Sequence, residues 1–183
     1  TGGGRHFSFF NQIAAAQMNY NMFCKALAPL LEDTPSALDE LATVQASFAS
    51  VMESNIEAMW AAKLGMDSYQ SELFMALIKL MMETGVDYNL FFRELSNVPK
   101  DLTQLSRSFY QAPHEQTAKQ WITWLNKWRE HTRADENSLA LSTKMKRINP
   151  KYTWREWLVV PAYQKAMQGD YSLVRELQQV LSH

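Results

Sequence analysis

With 183 residues, 46% of them hydrophobic and 20% charged, the chain has the composition of a globular protein and enough length to bury a core without disulfide or metal staples. Eighteen Lys and Arg against nineteen Asp and Glu leave a net charge of -1, so there is no basic excess to support general nucleic-acid binding. No apolar run approaches the roughly 20 residues that cross a bilayer, and six glycines with six prolines argue against a disordered or β-turn-rich chain.

Taken in chain order, the pattern is helical almost throughout. From Gln12 to Leu31, the apolar positions Ile13, Ala16, Tyr20, Phe23, Leu27 and Leu30 recur at gaps of three and four, which places them on one helical stripe. Thr34-Pro35-Ser36 offers a cap followed by a first-turn proline. Leu38, Leu41, Phe48, Met52, Ile56 and Met59 then carry a long helix toward Gly65. Asp67 or Ser68 is placed to cap a third helix through Leu73, Leu77 and Leu80, with Gly85 as a left-handed stop.

Shorter helices are expected over Asp87 to Ser96 and Asp101 to Tyr110, because Val98-Pro99 and Ala112-Pro113 interrupt the pattern. A further helix from His114 carries Ala118, Trp121, Leu125 and Trp128 on one side, with Lys119, Asn126, Lys127 and Arg129 toward solvent. A polar break near Ala134 to Ser138 follows. The remainder holds an irregular turn at Arg147-Ile148-Asn149-Pro150, a helix around Trp154 to Met167 that Pro161 is expected to kink or break, a stop at Gly169-Asp170, and a last helix through Leu173, Leu177 and Val180. The expectation is an all-α chain, a single multi-helix domain over 1–183 with about seven to nine helices. There is no strand pattern, internal repeat or low-complexity linker to rival it.

Chemistry-bearing constellations are scarce. His6, His114, His131 and His183 are scattered without an i, i+4 partner or a thiolate pair, so no zinc-protease helix or zinc finger is written here and no metal ligand is assigned. Gly2-Gly3-Gly4 lacks the Gly-Lys-Ser/Thr continuation of a phosphate-binding loop and reads as a terminus. Cys24, the only cysteine, sits among Met22, Phe23, Ala26 and Leu27, which predicts a buried, unreactive thiol and fits a reducing, intracellular setting. Glu32, Asp33, Asp39 and Glu40 cluster at a helix start, where they favour the macrodipole more simply than acid-base catalysis. Trp121, Trp124 and Trp128 are spaced for a core rather than an exposed stacking platform.

Three segments carry a resemblance. Gly4-Arg5-His6-Phe7-Ser8-Phe9-Phe10-Asn11-Gln12, continuing to Gln17-Met18-Asn19, is followed by Asp87-Tyr88-Asn89-Leu90-Phe91-Phe92-Arg93-Glu94-Leu95. Arg147-Ile148-Asn149-Pro150-Lys151-Tyr152 comes next, with Arg155, Ala166 and Gly169-Asp170-Tyr171-Ser172. In this order they resemble the carboxy-terminal part of the selenoprotein-O family of protein adenylyltransferases. The chain departs from the family pattern by one extra residue before Asn11 and by Ile13, Met18 and Glu156 where the family has proline, tryptophan and asparagine, so a divergent member is implied.

What the resemblance implies is a parent enzyme with a kinase-like fold that transfers AMP from ATP to hydroxyls of protein substrates, using ATP and Mg. The family's nucleotide- and metal-binding residues precede the first segment, so no catalytic, cofactor-binding or metal-binding residue is carried over to this chain. Its implied role is to pack against or orient the kinase-like lobe, or to shape a surface for protein substrates. The implied setting is cytoplasmic, or mitochondrial in a eukaryote. Arg147, Asn149, Pro150, Lys151, Tyr152, Arg155, Gly169 and Asp170 are the candidates for a special local structure. The simplest form of it has Asn149 capping a helix, Pro150 setting the backbone, and Arg147 or Arg155 paired with a carboxylate such as Asp170. The alternative is a free-standing helical interaction module, without nucleic-acid or membrane partners. Apolar stripes left uncovered would favour a homodimer.

Overall fold

The computed structural model describes residues 11–182. The Gly2-Gly3-Gly4 terminus, most of the first family-like segment and the end histidines His6 and His183 lie outside them. Eight α-helices and two 3-10 segments make up the described chain. Its only pairing of β type among the described residues is an isolated bridge between Val86 and Phe109, so the fold class is all-α as expected. None of these helices is long and apolar enough to cross a membrane. The chain divides into two compact units, one running through Met59 and the other beginning at Trp60.

In the first unit, α1 (Gln12–Leu27) is followed by a 3-10 turn (Ala28–Leu31) and by α2 (Pro35–Lys63), which supplies this unit up to Met59. The expected first helix therefore stops four residues early. Pro29 has no amide hydrogen to continue the α ladder, and the chain tightens. Pro35 opens α2 at its first turn, as its fixed φ favours. The two helices meet where Tyr20 stacks on Phe48 with ring centroids 4.9 Å apart and Gln45 donates to Asn21 at 3.0 Å. Cys24 is buried and free, as its neighbours predicted. The stripe is rotated from the expected one, since Phe23 and Leu30 are exposed while Cys24 takes the inner position.

In the second unit, α3 (Ser71–Thr84), α4 (Tyr88–Leu95), a 3-10 segment (Leu102–Ser108), α5 (Glu115–His131), α6 (Ser138–Ile148), α7 (Glu156–Ala166) and α8 (Ser172–Leu181) follow the end of α2. The core forms around α5, whose Trp121, Trp124, Leu125 and Trp128 are all buried, confirming the core reading of the tryptophans. Each indole N–H is satisfied. Trp121 donates to the Thr84 hydroxyl, Trp124 to the Leu73 carbonyl and Trp128 to the Leu64 carbonyl, each at 2.9 Å. Large rings thus fill the volume while their polar edges tie α5 to both ends of α3 and to the chain just past α2. Phe91 packs on Trp121 at 5.3 Å, bringing α4 into the same cluster.

Several boundaries differ from expectation. α3 starts at Ser71, with Gln70 in the capping position and no side-chain cap bond. Asp67 is instead drawn to Lys144 at 3.0 Å, and Ser68 accepts from Gln70 at 3.2 Å. Gly85 does end α3 in the left-handed region, φ 64°. The segment after Asp101 forms a 3-10 turn rather than an α-helix; its amide at Thr103 is held by the Asp101 carboxylate, and the bridge of Phe109 to Val86 draws the chain extended. α6 is an additional helix in the stretch between the polar break and the Arg147 turn. α7 runs through Pro161 without a break.

Candidate functional site

The family-like residues gather around the end of α6. Asn137 caps this helix, its side chain accepting from the Ala140 amide at 3.4 Å, and the helix ends at Ile148 because the next residue precedes Pro150. Proline disfavours helical geometry in the residue before it, and Asn149 adopts an extended conformation, φ -98° and ψ 102°. That turn drives the Asn149 side chain inward, where it is fully buried.

The Asn149 amide group donates to the Lys63 carbonyl at 2.8 Å and to the Ser96 hydroxyl at 3.1 Å. Its oxygen accepts from the Lys63 ammonium at 3.1 Å, and the Ser96 hydroxyl donates to the Phe92 carbonyl at 2.7 Å. Arg93 donates to the carbonyls of Lys146 and Asn149, at 3.3 and 3.1 Å. Three helices, α2, α4 and α6, therefore end at one polar hub. The last turn of any helix exposes unpaired carbonyls and a partial negative charge. Here the Asn149 amide, the Ser96 hydroxyl and the Arg93 guanidinium donate to those carbonyls.

Lys63 is the unusual member. Its ammonium lies over the Phe92 ring at 4.8 Å and the Tyr88 ring at 5.4 Å, and burial lowers its pKa. Burial likewise pushes the Tyr88 hydroxyl well above its usual range. Neither shift points to a reactive pair. The cation is held by ring faces and one amide oxygen, an arrangement that stabilises charge without accepting its proton.

At the opposite end of α4, Asp87 caps the helix by accepting from the Leu90 amide at 3.0 Å, while one Arg155 nitrogen reaches both Asp87 carboxylate oxygens at 2.9 and 3.0 Å. Arg155 thus pairs with Asp87, not with Asp170. Asp170 instead accepts from the Ser172 amide at 2.9 Å and pairs with Lys165 at 3.4 Å. Its bonds to Ser172, followed by Lys165, hold its pKa down to about 2. Gly169 takes φ 84°, a conformation that side chains disfavour. Gly169 and Asp170 therefore form the α7–α8 turn.

Of the expected motif, Asn149 and Arg155 are fastened to the two ends of α4. Arg147, Pro150, Lys151 and Tyr152 are exposed, and Lys151 makes only a ring contact with Tyr152, 5.1 Å from its centroid. Asn149 does not cap α7; Arg155 occupies that position, without a side-chain cap bond. The residues that sequence reasoning passed over are Lys63 and Ser96. The signal for Lys63 was its place as the first cation after Lys25 in a stretch rich in carboxylates.

Replacing Arg155 by alanine is expected to lower stability by about 1 kcal/mol, the scale of a partly exposed, well-oriented ion pair. A thermal melt should fall by roughly 2–4 °C; an unchanged curve would remove the scaffold role of this residue.

A family model described as Protein adenylyltransferase SelO matches residues 3–182. The chain is 31% identical over 182 residues to the protein nucleotidyltransferase YdiU of Pseudomonas fluorescens (strain SBW25), covering 96% of this chain and 35% of that protein. It is 32% identical over 187 residues to the YdiU protein of Azoarcus sp. (strain BH72), covering 98% and 35%, and 28% identical over 190 residues to that of Vibrio vulnificus (strain CMCP6), covering 97% and 36%. The chain spans about a third of the length of the curated relatives it matches. A match across nearly all of its residues, the motif at the α6 end included, means that the chain belongs to the protein adenylyltransferase SelO family.

Proposed function

We propose that this chain is a non-catalytic, carboxy-terminal helical region of a SelO-type protein adenylyltransferase. It braces and orients a kinase-like lobe that holds ATP and Mg and transfers AMP to hydroxyls of protein substrates. The observation that carries this reading is where the family-like charged residues go. Arg93, Asp87 and Arg155, with the neutral Asn149, close helix ends or pair with one another, so the part of the motif that faces inward is used in holding shape, while Arg147 and Lys151 stay exposed. Stabilising a phosphoryl or adenylyl transition state needs positioned cations and metal ligands facing the substrate, and in this reading those belong to polypeptide outside the chain.

Titrating the chain with ATP and Mg²⁺ in a calorimeter is the direct test. The expected result is no heat beyond dilution; micromolar nucleotide affinity would contradict the reading. A free-standing interaction module is the alternative, favoured by the exposed Trp157, Val160, Tyr163 and Met167 of α7. The coding sequence immediately upstream separates the two, since a kinase-like reading frame joined to Thr1 supports the first and a start codon at that point supports the second.

A further inference from the structure

A cleft of about 590 Å³ opens in the second unit, walled by the turn after α2, the end of α5 and the start of α6. Its volume lies in the range of small-molecule sites. Met66 and Leu141, only 5% and 8% exposed, give it apolar surface. Arg133, Lys144 and His131 line it together with one carboxylate, Asp67. The fold alone brings these groups to one place, since 77 residues separate Asp67 from Lys144.

Arg133 stands where a glycine is usual. It follows α5 in the left-handed region, at φ 49°. The Arg133 amide donates to the Glu130 carbonyl at 3.1 Å and the Ala134 amide to the Arg129 carbonyl at 2.9 Å, a helix ending that favours glycine at this position and strains any other residue. The turn itself therefore gains nothing from an arginine. Its guanidinium makes no ion pair among the described residues, yet its charge reaches Asp67. The hydrogen bond and charge of Lys144, followed by the charge of Arg133, hold the Asp67 carboxyl below its usual range. Two cations from different elements thus act on one exposed carboxylate, with Lys144 at 3.0 Å.

We propose that this cleft binds a small phosphate monoester, whose phosphate takes the place of the Asp67 carboxylate between Arg133 and Lys144. An exposed ion pair is worth little in water, so Asp67 is readily displaced. A phosphate carries nearly twice the charge of a carboxylate and three acceptor oxygens, which a guanidinium meets with paired donors. Met66 and Leu141 offer surface to the carbon skeleton. Asn137 uses its oxygen to hold the Ala140 amide, which leaves its amide hydrogens to donate to a ligand hydroxyl. A carboxylate ligand is the poorer fit, because it would replace Asp67 like for like. The site goes beyond the bracing role, and none of Arg93, Asp87, Asn149 and Arg155 lines it.

The test follows the backbone amide NMR shifts of the whole chain at low salt, where exposed charges are least screened. Inorganic phosphate and glucose 6-phosphate are the probes, and glucose is the uncharged control. The amides of Gly65, Asp67, Arg133 and Ala140 should move saturably with both phosphates and not with glucose. Glucose 6-phosphate should bind about threefold or more tighter than inorganic phosphate, through its carbon skeleton. Asp67→Asn removes the competing carboxylate and should raise the affinity for glucose 6-phosphate by about threefold, an effect that a purely structural role would not produce. Arg133→Gly suits the left-handed turn, so it should melt with the parent while lowering that affinity by about tenfold or more. If it melts lower, Asp67→Asn decides alone, because the Asp67 side chain is fully exposed.

Shifts that fail to saturate or that fall outside the cleft overturn the proposal, as does an Asp67→Asn affinity equal to or below that of the parent. Tighter binding of inorganic phosphate, or of a phosphoserine peptide, than of glucose 6-phosphate overturns the choice of ligand. So does micromolar ATP binding that Arg133→Gly abolishes. Micromolar ATP binding that survives Arg133→Gly counts against the bracing role and leaves the cleft standing, so the two readings fail separately.

Discussion

Substituting Asn149 by leucine should lower the unfolding free energy by about 2–4 kcal/mol, although the two side chains are similar in volume. Leucine fills the space but gives back none of the bonds. The Lys63 carbonyl at the end of α2 loses the donor it holds at 2.8 Å, and the Lys63 ammonium loses its oxygen partner at 3.1 Å. A buried group left unsatisfied costs about 1–3 kcal/mol, and a bond to a charged group is worth about 1.5–3 kcal/mol. Ser96 is affected least, because its hydroxyl still donates to Phe92. Urea unfolding followed by tryptophan emission reports on this unit directly, since Trp121, Trp124 and Trp128 all lie in its core. An unfolding free energy lowered by less than about 1 kcal/mol would show that the hub is incidental to stability.

Gly65→Ala is expected to be of similar size for a different reason. Gly65 sits at φ 71°, and a Cβ there would lie 2.5 Å from Leu141 Cδ1 and 2.8 Å from Met145 Cγ. The left-handed backbone alone costs a side chain roughly 1 kcal/mol. Overpacking adds about 1–3 kcal/mol where neighbours have no room to retreat, and Met145 is fully buried while Leu141 is 8% exposed. The sum is a loss of about 2–4 kcal/mol. A circular-dichroism melt should fall by roughly 4–16 °C for a chain of this length, and a variant melting with the parent would mean that the Gly65 turn and α6 are not held against each other as described.

Where local chemistry decides the backbone, the sequence was readable. Asp87 caps α4, Gly85 stops α3, and Pro35 opens α2, each through groups within a few residues of one another. α6 was not readable, because it buries only Leu141 and Met145, too short a stripe to stand out among serines, threonines and lysines. The hub was hidden for another reason. Asn149 finds its partners 86 and 53 residues away, and no periodicity encodes that distance. The family-like motif pointed to Asn149 and Arg155 as special, yet nearness in sequence suggested Asp170 as the acid, whereas the fold delivers Asp87. That Trp157, Val160, Tyr163 and Met167 of α7 stay exposed was likewise beyond a hydropathy reading, which registers an apolar helix without saying what covers it.

The meeting of α2, α4 and α6 at one asparagine has a consequence for how their lengths can vary. Purely oily helix contacts let one rod slip along another with little penalty, but a directional bond at the tip acts as an indexing pin. One residue added inside α6 would advance its tip by about 1.5 Å and swing it by about 100°, carrying the pin out of its socket. Length changes are therefore confined to the connections that leave the three tips where they are, such as the stretch from Thr132 to Glu136.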